Sequence, residues 1–394
     1  MHRLQLSRAR LLRGAACWWF VGPGGIARLA PAHLDAAGRP RPAALRSLRR
    51  AGLLDQPAPR GFALTVLAGT ACNAGCGYCF QNVDQGAHGA FRPRRIPPAR
   101  LDEPTVERVL AFADRRRAVA GLDRLDLTIF GGEPLLEPAA CGLLLERAAD
   151  HGLVAARLVT NGTLLTPRLA ERLHGLGLRT VQVTFDGDRR QHDGVRATRA
   201  GRPTFDLILG NVAGAAARVP LRWLLRVNVS RTNQGGISTL IDRLAAALPP
   251  AACTLKFALL AATGAGHGEA PRADPALAAR IARWQRQALD AGFGLPLPRA
   301  RLPCRTCGFE GGRYGAVVAP DGTLASCWET AGDPGRSVGD VVDGYRPGVP
   351  WTRCTYPAAP AFQDAVDAAL LDRLYGRDPP AAGMPEPGAT GPRA

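Results

Sequence analysis

The sequence predicts an α/β protein in which a parallel sheet curls into a partial (β/α)6, TIM-like barrel, flanked by a short N-terminal extension and a small C-terminal domain. Three observations predict it. From residue 62 onward, six short apolar runs alternate with helix-period segments, the pattern of repeated βαβ units. The segments between the runs are long enough for crossover helices, so neighbouring strands run parallel. Gly-rich or Asn-Gly and Asp-Gly turns follow several of the runs, at the strand ends where such barrels hold ligands.

The elements follow in order. The expected strands are 62–67, 125–130, 156–160, 179–185, 221–229 and 253–259. The expected helices are 103–118, 140–150, 167–176, 204–218, 237–247 and 275–291. The helix from Pro167 has Thr166 as its cap, proline at its first position and Gly177 beyond its end, the usual start and stop chemistry. Six repeats are too few to close a barrel of eight. Ahead of them, residues 1–60 form the extension, with a hairpin over Trp18–Leu29 around the turn at 22–25 and a helix over 42–54. The barrel takes residues 61–295, the C-terminal domain 296–375, and residues 376–394, rich in Pro, Gly and Ala, read as a disordered tail.

Composition narrows the function classes. The chain of 394 residues is 46% hydrophobic and 21% charged, the balance of a globular protein. No apolar run is long enough to span a bilayer. The arginine-rich N-terminus lacks a clean apolar core and a small-residue cleavage site, so the expected location is the cytoplasm. Net charge is +17, yet Lys256 is the only lysine. That bias reads as the coding habit of a GC-rich genome, and no basic tract interleaves with aromatics; nucleic acid is not an expected partner.

Ten cysteines are unevenly placed. Cys72, Cys76 and Cys79 share one Gly- and Ala-rich loop after the first strand, at spacing C-x3-C-x2-C. Three thiolates on a tight loop suit three irons of a 4Fe–4S cluster, leaving the fourth iron open to a non-protein ligand. Zinc is the alternative, but zinc loops favour C-x2-C pairs with a fourth protein ligand nearby, and His88 is nine residues beyond Cys79. Cys304, Cys307, Cys327 and Cys354 form a second group, and Cys17, Cys141 and Cys253 sit alone in apolar surroundings as expected core residues.

The loop, with Tyr78 just before its last cysteine, resembles the signature of the radical S-adenosylmethionine (SAM) enzymes. The resemblance implies a cluster whose open iron binds SAM, and a 5′-deoxyadenosyl radical that takes hydrogen from substrate. Further motifs extend it. Gly131-Gly132-Glu133-Pro134 after the second strand resembles the family's GGEP motif, which implies contacts to the SAM amino group. Thr160–Thr163 resembles a common Asn-Gly turn. Thr184-Phe185-Asp186-Gly187, then His192-Asp193, Arg196, Gly201 and Phe205, resemble the S-x-D-G…H-D-x-x-R…G…F pattern of peptide- and protein-modifying members, with threonine in place of serine. By that likeness Thr184 and Arg196 hold the SAM carboxylate and Asp186 contacts SAM or substrate. On the fifth strand, Arg226 and Asn228 alternate with apolar residues, which puts both on one face and makes Asn228 a cofactor or substrate candidate.

Cys307…Gly322-x4-Cys327 resembles the opening of the auxiliary-cluster domains called SPASM or twitch. The fuller cysteine set of a SPASM domain is missing after Cys327, where only Cys354 remains. Cys304, Cys307, Cys327 and Cys354 would supply four ligands to one auxiliary 4Fe–4S cluster, with zinc as the alternative. The resemblance implies a precursor peptide as substrate and an external one-electron reductant such as flavodoxin or ferredoxin. It implies a crosslink or other oxidative modification of a ribosomally made peptide. Formylglycine formation of the anaerobic sulfatase-maturase kind, peptide epimerisation, and a non-catalytic iron–sulfur or zinc scaffold are the competing readings. The extension faintly resembles the modules that bind a precursor's leader segment; a simple cap on the barrel is the alternative.

Overall fold

The computed structural model describes residues 8–55, 57, 59–79, 97–260, 269–301, 309, 311–349, 351 and 359–376. The chain opens with an antiparallel sheet, β1 (Arg10–Arg13), β2 (Trp18–Gly22) and β3 (Gly25–Leu29), followed by helix α1 (Pro42–Arg50). The expected hairpin is present. β1 is an additional strand, paired Arg10 to Val21.

The six expected repeats follow. They are β4 (Gly61–Leu67) with α2 (Glu103–Ala120), β5 (Arg124–Phe130) with α3 (Pro138–Asp150), and β6 (Leu153–Thr160) with α4 (Pro167–Gly175). Then come β7 (Leu178–Phe185) with α5 (Arg189–Arg196) and α6 (Phe205–Ala216), β8 (Arg222–Val229) with α7 (Ile237–Ala247), and β9 (Cys253–Leu259) with α8 (Pro275–Asp290). Side-chain caps start several helices: Asp102 accepts from Thr105 N at 2.8 Å, and Asp274 from Leu277 N at 2.8 Å. All neighbouring pairs from β4 to β9 are parallel.

β10 (Gly315–Val318), β11 (Thr323–Ala325), β12 (Ser337–Asp340) and β13 (Gly344–Tyr345) precede the last helix, α9 (Pro360–Tyr375). The hairpin of the expected C-terminal domain does not make a sheet of its own. β10 lies parallel to β4, so one ten-stranded sheet runs β13-β12-β11-β10-β4-β5-β6-β7-β8-β9. It stays open, with β13 and β9 at its edges.

Alternate residues on the parallel strands go to opposite faces. The outer face, covered by helices, carries Leu64, Leu127, Val183, Leu225 and Leu255, each at most 2% exposed. The inner face carries Thr65, Thr128, Gln182, Thr184, Arg226 and Lys256. Cys141 and Cys253 are buried in the outer core, and Cys17 in the N-terminal one. α9 explains how the extension is held. Arg10 pairs with Asp364 at 2.7 Å and Asp367 at 2.6 Å, and Trp19 Nε1 donates to Asp372 Oδ1 at 2.7 Å. Leu12, Trp19 and Val21 pack on Ala368 and Leu371. Among the described residues, no helix is long and apolar enough to cross a membrane.

Candidate active site

The cysteine loop leaves β4 at the carboxyl end of the sheet and is fastened by three neighbouring segments. The first is the turn after β5. Gly132 N donates to Gly69 O at 3.0 Å and Glu133 N to Ala71 O at 2.8 Å. A Cβ at Gly131 or Gly132 would collide with the carbonyl oxygens of Gly69 and Ala71, so this approach requires glycine. The second is the turn after β6. Asn161 Nδ2 donates to Asn73 Oδ1 at 2.8 Å, and Asn73 Nδ2 to Thr163 Oγ1 at 2.9 Å. The third is the segment after α5. Gly75 N donates to Ala197 O at 3.0 Å and Arg199 Nε to Cys72 O at 2.6 Å.

Glu133 is fully buried. Its carboxylate accepts from Thr160 Oγ1 at 2.6 Å, Asn161 N at 2.7 Å and Leu135 N at 3.0 Å. Burial raises its pKa against the opposing pull of these bonds. The side chain therefore ties the β5 and β6 turns together, and Cys141 Sγ supports Pro134 O from α3 at 3.2 Å.

Four of the sequence-predicted residues meet in one network. Tyr78 Oη donates to Asp186 Oδ2 at 2.7 Å, and accepts from Arg196 Nη2 at 2.6 Å and Asn228 Nδ2 at 3.0 Å. One donor and two acceptor positions saturate a hydroxyl. Arg196 Nε also donates to Asp186 Oδ2, and its guanidinium lies over the Tyr78 ring, 5.6 Å from the centroid. Burial opposes the charge of Arg196, but its contacts with Tyr78, Cys76 and Asp186 hold its pKa well above the ordinary arginine value. Burial pushes the Tyr78 phenol well up, so it stays protonated as the donor. Tyr78, Asp186 and Asn228 line a cavity of about 220 Å³ together with Ser230 and Asn233. Thr184, buried on β7, is the register partner of Arg226.

α5 was not expected from the sequence, and it gives the His192-Asp193 pair its meaning. His192 is fully buried between Phe185 and Phe205, with centroids 5.6 and 5.5 Å away. Its Nδ1 accepts from Asp186 N at 3.3 Å and its Nε2 meets Thr204 Oγ1 at 3.2 Å. Burial lowers its pKa to about 4. Asp193 Oδ1 accepts from Thr204 N and Phe205 N, both at 2.8 Å, starting α6. These residues position Asp186 and Arg196 and do not face the cavity.

The three cysteines suit a cationic cluster. Burial pushes Cys72 up to about 12, with Glu133, Cys76 and Cys79 adding to it, and Cys76 up to about 11, where Arg196 pulls down and Cys79 pushes up. Thiols so desolvated and crowded ionise when a metal centre supplies the compensating charge. Among the described residues, no three His, Cys, Asp or Glu side chains converge on a point suited to a single ion. A cubane asks for a different arrangement, because each thiolate binds a different iron. Of the second cysteine group, Cys327 follows β11 at the start of a short 3-10 turn; Cys304, Cys307 and Cys354 lie outside the described residues. Sequence reasoning passed over Asn73 and Arg199, which hold the loop; their only signal is proximity to the motifs.

The open sheet thus carries a three-cysteine loop and a polar cradle at its carboxyl end. Residues 66–226 match the family model of the Radical SAM superfamily. It is 31% identical over 229 residues to the AdoMet-dependent heme synthase of Methanosarcina barkeri (strain Fusaro / DSM 804), covering 58% of this chain and 58% of that protein. It is 30% identical over 230 residues to the GTP 3′,8-cyclase of Xanthomonas campestris pv. campestris (strain 8004), covering 57% of this chain and 62% of that one. The matched stretch is thus less than two thirds of either relative. Native anSMEcpe with bound AdoMet has the same fold, with a TM-score of 0.53 at 16% identity over 71% of this chain and 78% of that one. Native anSMEcpe with bound AdoMet and Kp18Cys peptide gives 0.53 at 17% identity, with the same coverage.

Proposed function

We propose that the chain is a radical SAM enzyme that oxidatively modifies a ribosomally made peptide. The observation carrying the enzyme reading is the cysteine loop fixed beside the Tyr78–Asp186–Arg196–Asn228 network, over the open barrel. Bound to a 4Fe–4S cluster on Cys72, Cys76 and Cys79, SAM would supply a 5′-deoxyadenosyl radical for hydrogen abstraction. The chain's part is position and electrostatics. Asp186 Oδ1 accepts no hydrogen bond among the described residues, so this carboxylate keeps one acceptor for a ligand amino or hydroxyl group. Arg196, held rigid by Asp186 and Tyr78, places positive charge where the SAM carboxylate is expected. Thr184 adds a hydroxyl on the same face. The glycine turn at 131–132 offers backbone rather than the Glu133 side chain, which is already engaged.

The peptide reading is supported by the SPASM/twitch-like cysteine spacing, with Cys304, Cys307, Cys327 and Cys354 as ligands of an auxiliary cluster that accepts an electron. The fold likeness to a protein seen with a peptide is consistent with it. The reductant is taken to be a flavodoxin or ferredoxin. A small-molecule substrate is the second reading, favoured by the matches to a heme synthase and a GTP cyclase.

Anaerobic reconstitution with iron, sulfide, dithionite and SAM tests the enzyme reading directly. The expected product is 5′-deoxyadenosine, abolished in Cys76→Ala. Cys327→Ala should still cleave SAM in part but form no modified peptide. Absence of 5′-deoxyadenosine from a wild-type protein carrying its cluster would defeat the reading.

A further inference from the structure

The inner face of the barrel holds positive charge that no acid of the cysteine-loop network pairs. Arg226 on β8 and Lys256 on β9 are register partners. Their sequence neighbours Leu225, Val227 and Leu255 are fully buried in the outer core, so both side chains point inward. Neither forms an ion pair among the described residues, and Lys256 forms no hydrogen bond there. The charges acting on Lys256 are those of Arg226, Arg157 and Arg299, all positive. Lys256 is exposed to solvent, while the surrounding protein and then these charges lower its pKa to about 8.

Arg226 and Lys256 stand side by side with no acid paired to either among the described residues, and neighbouring like charges repel one another and attract the opposite ion. The pair also touches the reacting end of the barrel. Arg226 Nε donates to Asn228 Oδ1 at 2.7 Å, and Asn228 in turn reaches the Tyr78 hydroxyl at 3.0 Å. An anion seated on Arg226 and Lys256 would therefore lie deeper in the barrel, with the attached substrate leading up to the cysteine loop.

We propose that Arg226 and Lys256 form a receiving site in the barrel lumen for a carboxylate of the substrate, selecting an acidic side chain of the peptide. The proposal deepens the peptide reading and rests on it. Arginine offers its planar fork to the carboxylate and lysine a point charge beside it.

The test is fluorescence anisotropy on the full-length, anaerobically reconstituted protein. The probes are a fluorescein-labelled hexapeptide of alternating Glu and Gly and its Gln–Gly twin, with a nucleoside triphosphate as competitor. The Glu peptide is expected to bind about tenfold more tightly than its twin, as one or two charge-assisted hydrogen bonds would give, and this preference should weaken with salt. Lys256→Gln and Arg226→Gln should each erase most of the preference, Lys256→Arg should keep it, and Arg283→Gln, the same charge change on the exposed side of α8, should not alter it. Equal binding of the two peptides, or a preference surviving Lys256→Gln, overturns the proposal. So does triphosphate binding that depends on Lys256 without any preference for Glu, which would make this a phosphate site. Wild-type SAM cleavage is read separately. Its absence alongside an intact Glu preference defeats the enzyme reading and leaves the carboxylate site standing; its presence without that preference overturns the site alone.

Discussion

The two faces of the core sheet are made by the same strands and differ in almost every physical respect. β8 shows it residue by residue. Trp223, Leu225, Val227 and Val229 face the helices with 0–1% exposure, while Leu224, Arg226 and Asn228 face the lumen. The outer face is apolar volume, and its role is to be dry. The inner face is chemically particular, and its polar groups are satisfied by one another or remain available. Stability and function are thus written on alternate residues of each strand, so a single-position substitution can strike one with little effect on the other.

The sharpest test of that division is Cys76→Ala, at the rim of the inner face. It should eliminate SAM cleavage while the far-UV circular dichroism and the unfolding midpoint of the apo-protein stay near wild type. Asp186→Asn should be costly in both respects, because it strands the buried Arg196 charge; a loss of about 3–5 kcal/mol in chemical denaturation is expected. A loss below 1 kcal/mol would mean that the pair is solvated. Leu225→Ala, on the outer face, should cost about 2–5 kcal/mol and leave the SAM affinity of the folded fraction unchanged in equilibrium dialysis. A changed affinity would show that the faces are coupled.

His192, on α5 and packed against Phe185 and Phe205 of the outer core, makes a pH prediction. Its folded pKa, about 4, is below the ordinary 6.5. The folded state therefore favours the neutral ring, and this stability is complete above pH 6.5 and lost as pH falls towards 4. The expected decline is about 3 kcal/mol. His192→Phe should flatten that part of the stability–pH curve measured by urea denaturation. The smallest effect belongs to Tyr78→Phe. Loss of one hydroxyl should cost about 1 kcal/mol, with a measurable fall in SAM affinity because Asn228 and Arg196 lose a shared partner.

The barrel was legible because its strands and helices obey simple periods and because glycine turns mark the strand ends. The three-cysteine loop was legible from spacing alone. What escaped has physical reasons. α5 reads Arg-Arg-Gln-His-Asp-Gly-Val-Arg with only His192 buried, so it has no apolar stripe; Asp188 and Gln191 start it with reciprocal capping bonds. α9 buries two faces, one against the N-terminal sheet through Ala368 and Leu371 and one against the main core through Phe362, Val366 and Leu370, and so shows no single stripe either. The joining of β10 to β4 pairs segments too far apart in sequence for any local pattern to reveal. In the site, Tyr78, Asp186, Arg196 and Asn228 were each singled out by motif or strand period, but their meeting in one network, like the contacts of Asn73 and Arg199, is tertiary and not encoded in spacing.

That pairing of β10 with β4 also sets a schedule. Gly315 finds Ala63 about 250 positions earlier in the chain. At ribosomal speeds of about 5–20 residues per second, the edge of β4 waits on the order of 10–50 s for its partner to be made. During that interval a bare strand with the sequence Gly-Phe-Ala-Leu-Thr-Val-Leu offers its backbone to any other nascent chain. The last-made strands are therefore a closure step in biogenesis, and yield in expression should depend on how well the unfinished chain is shielded until then.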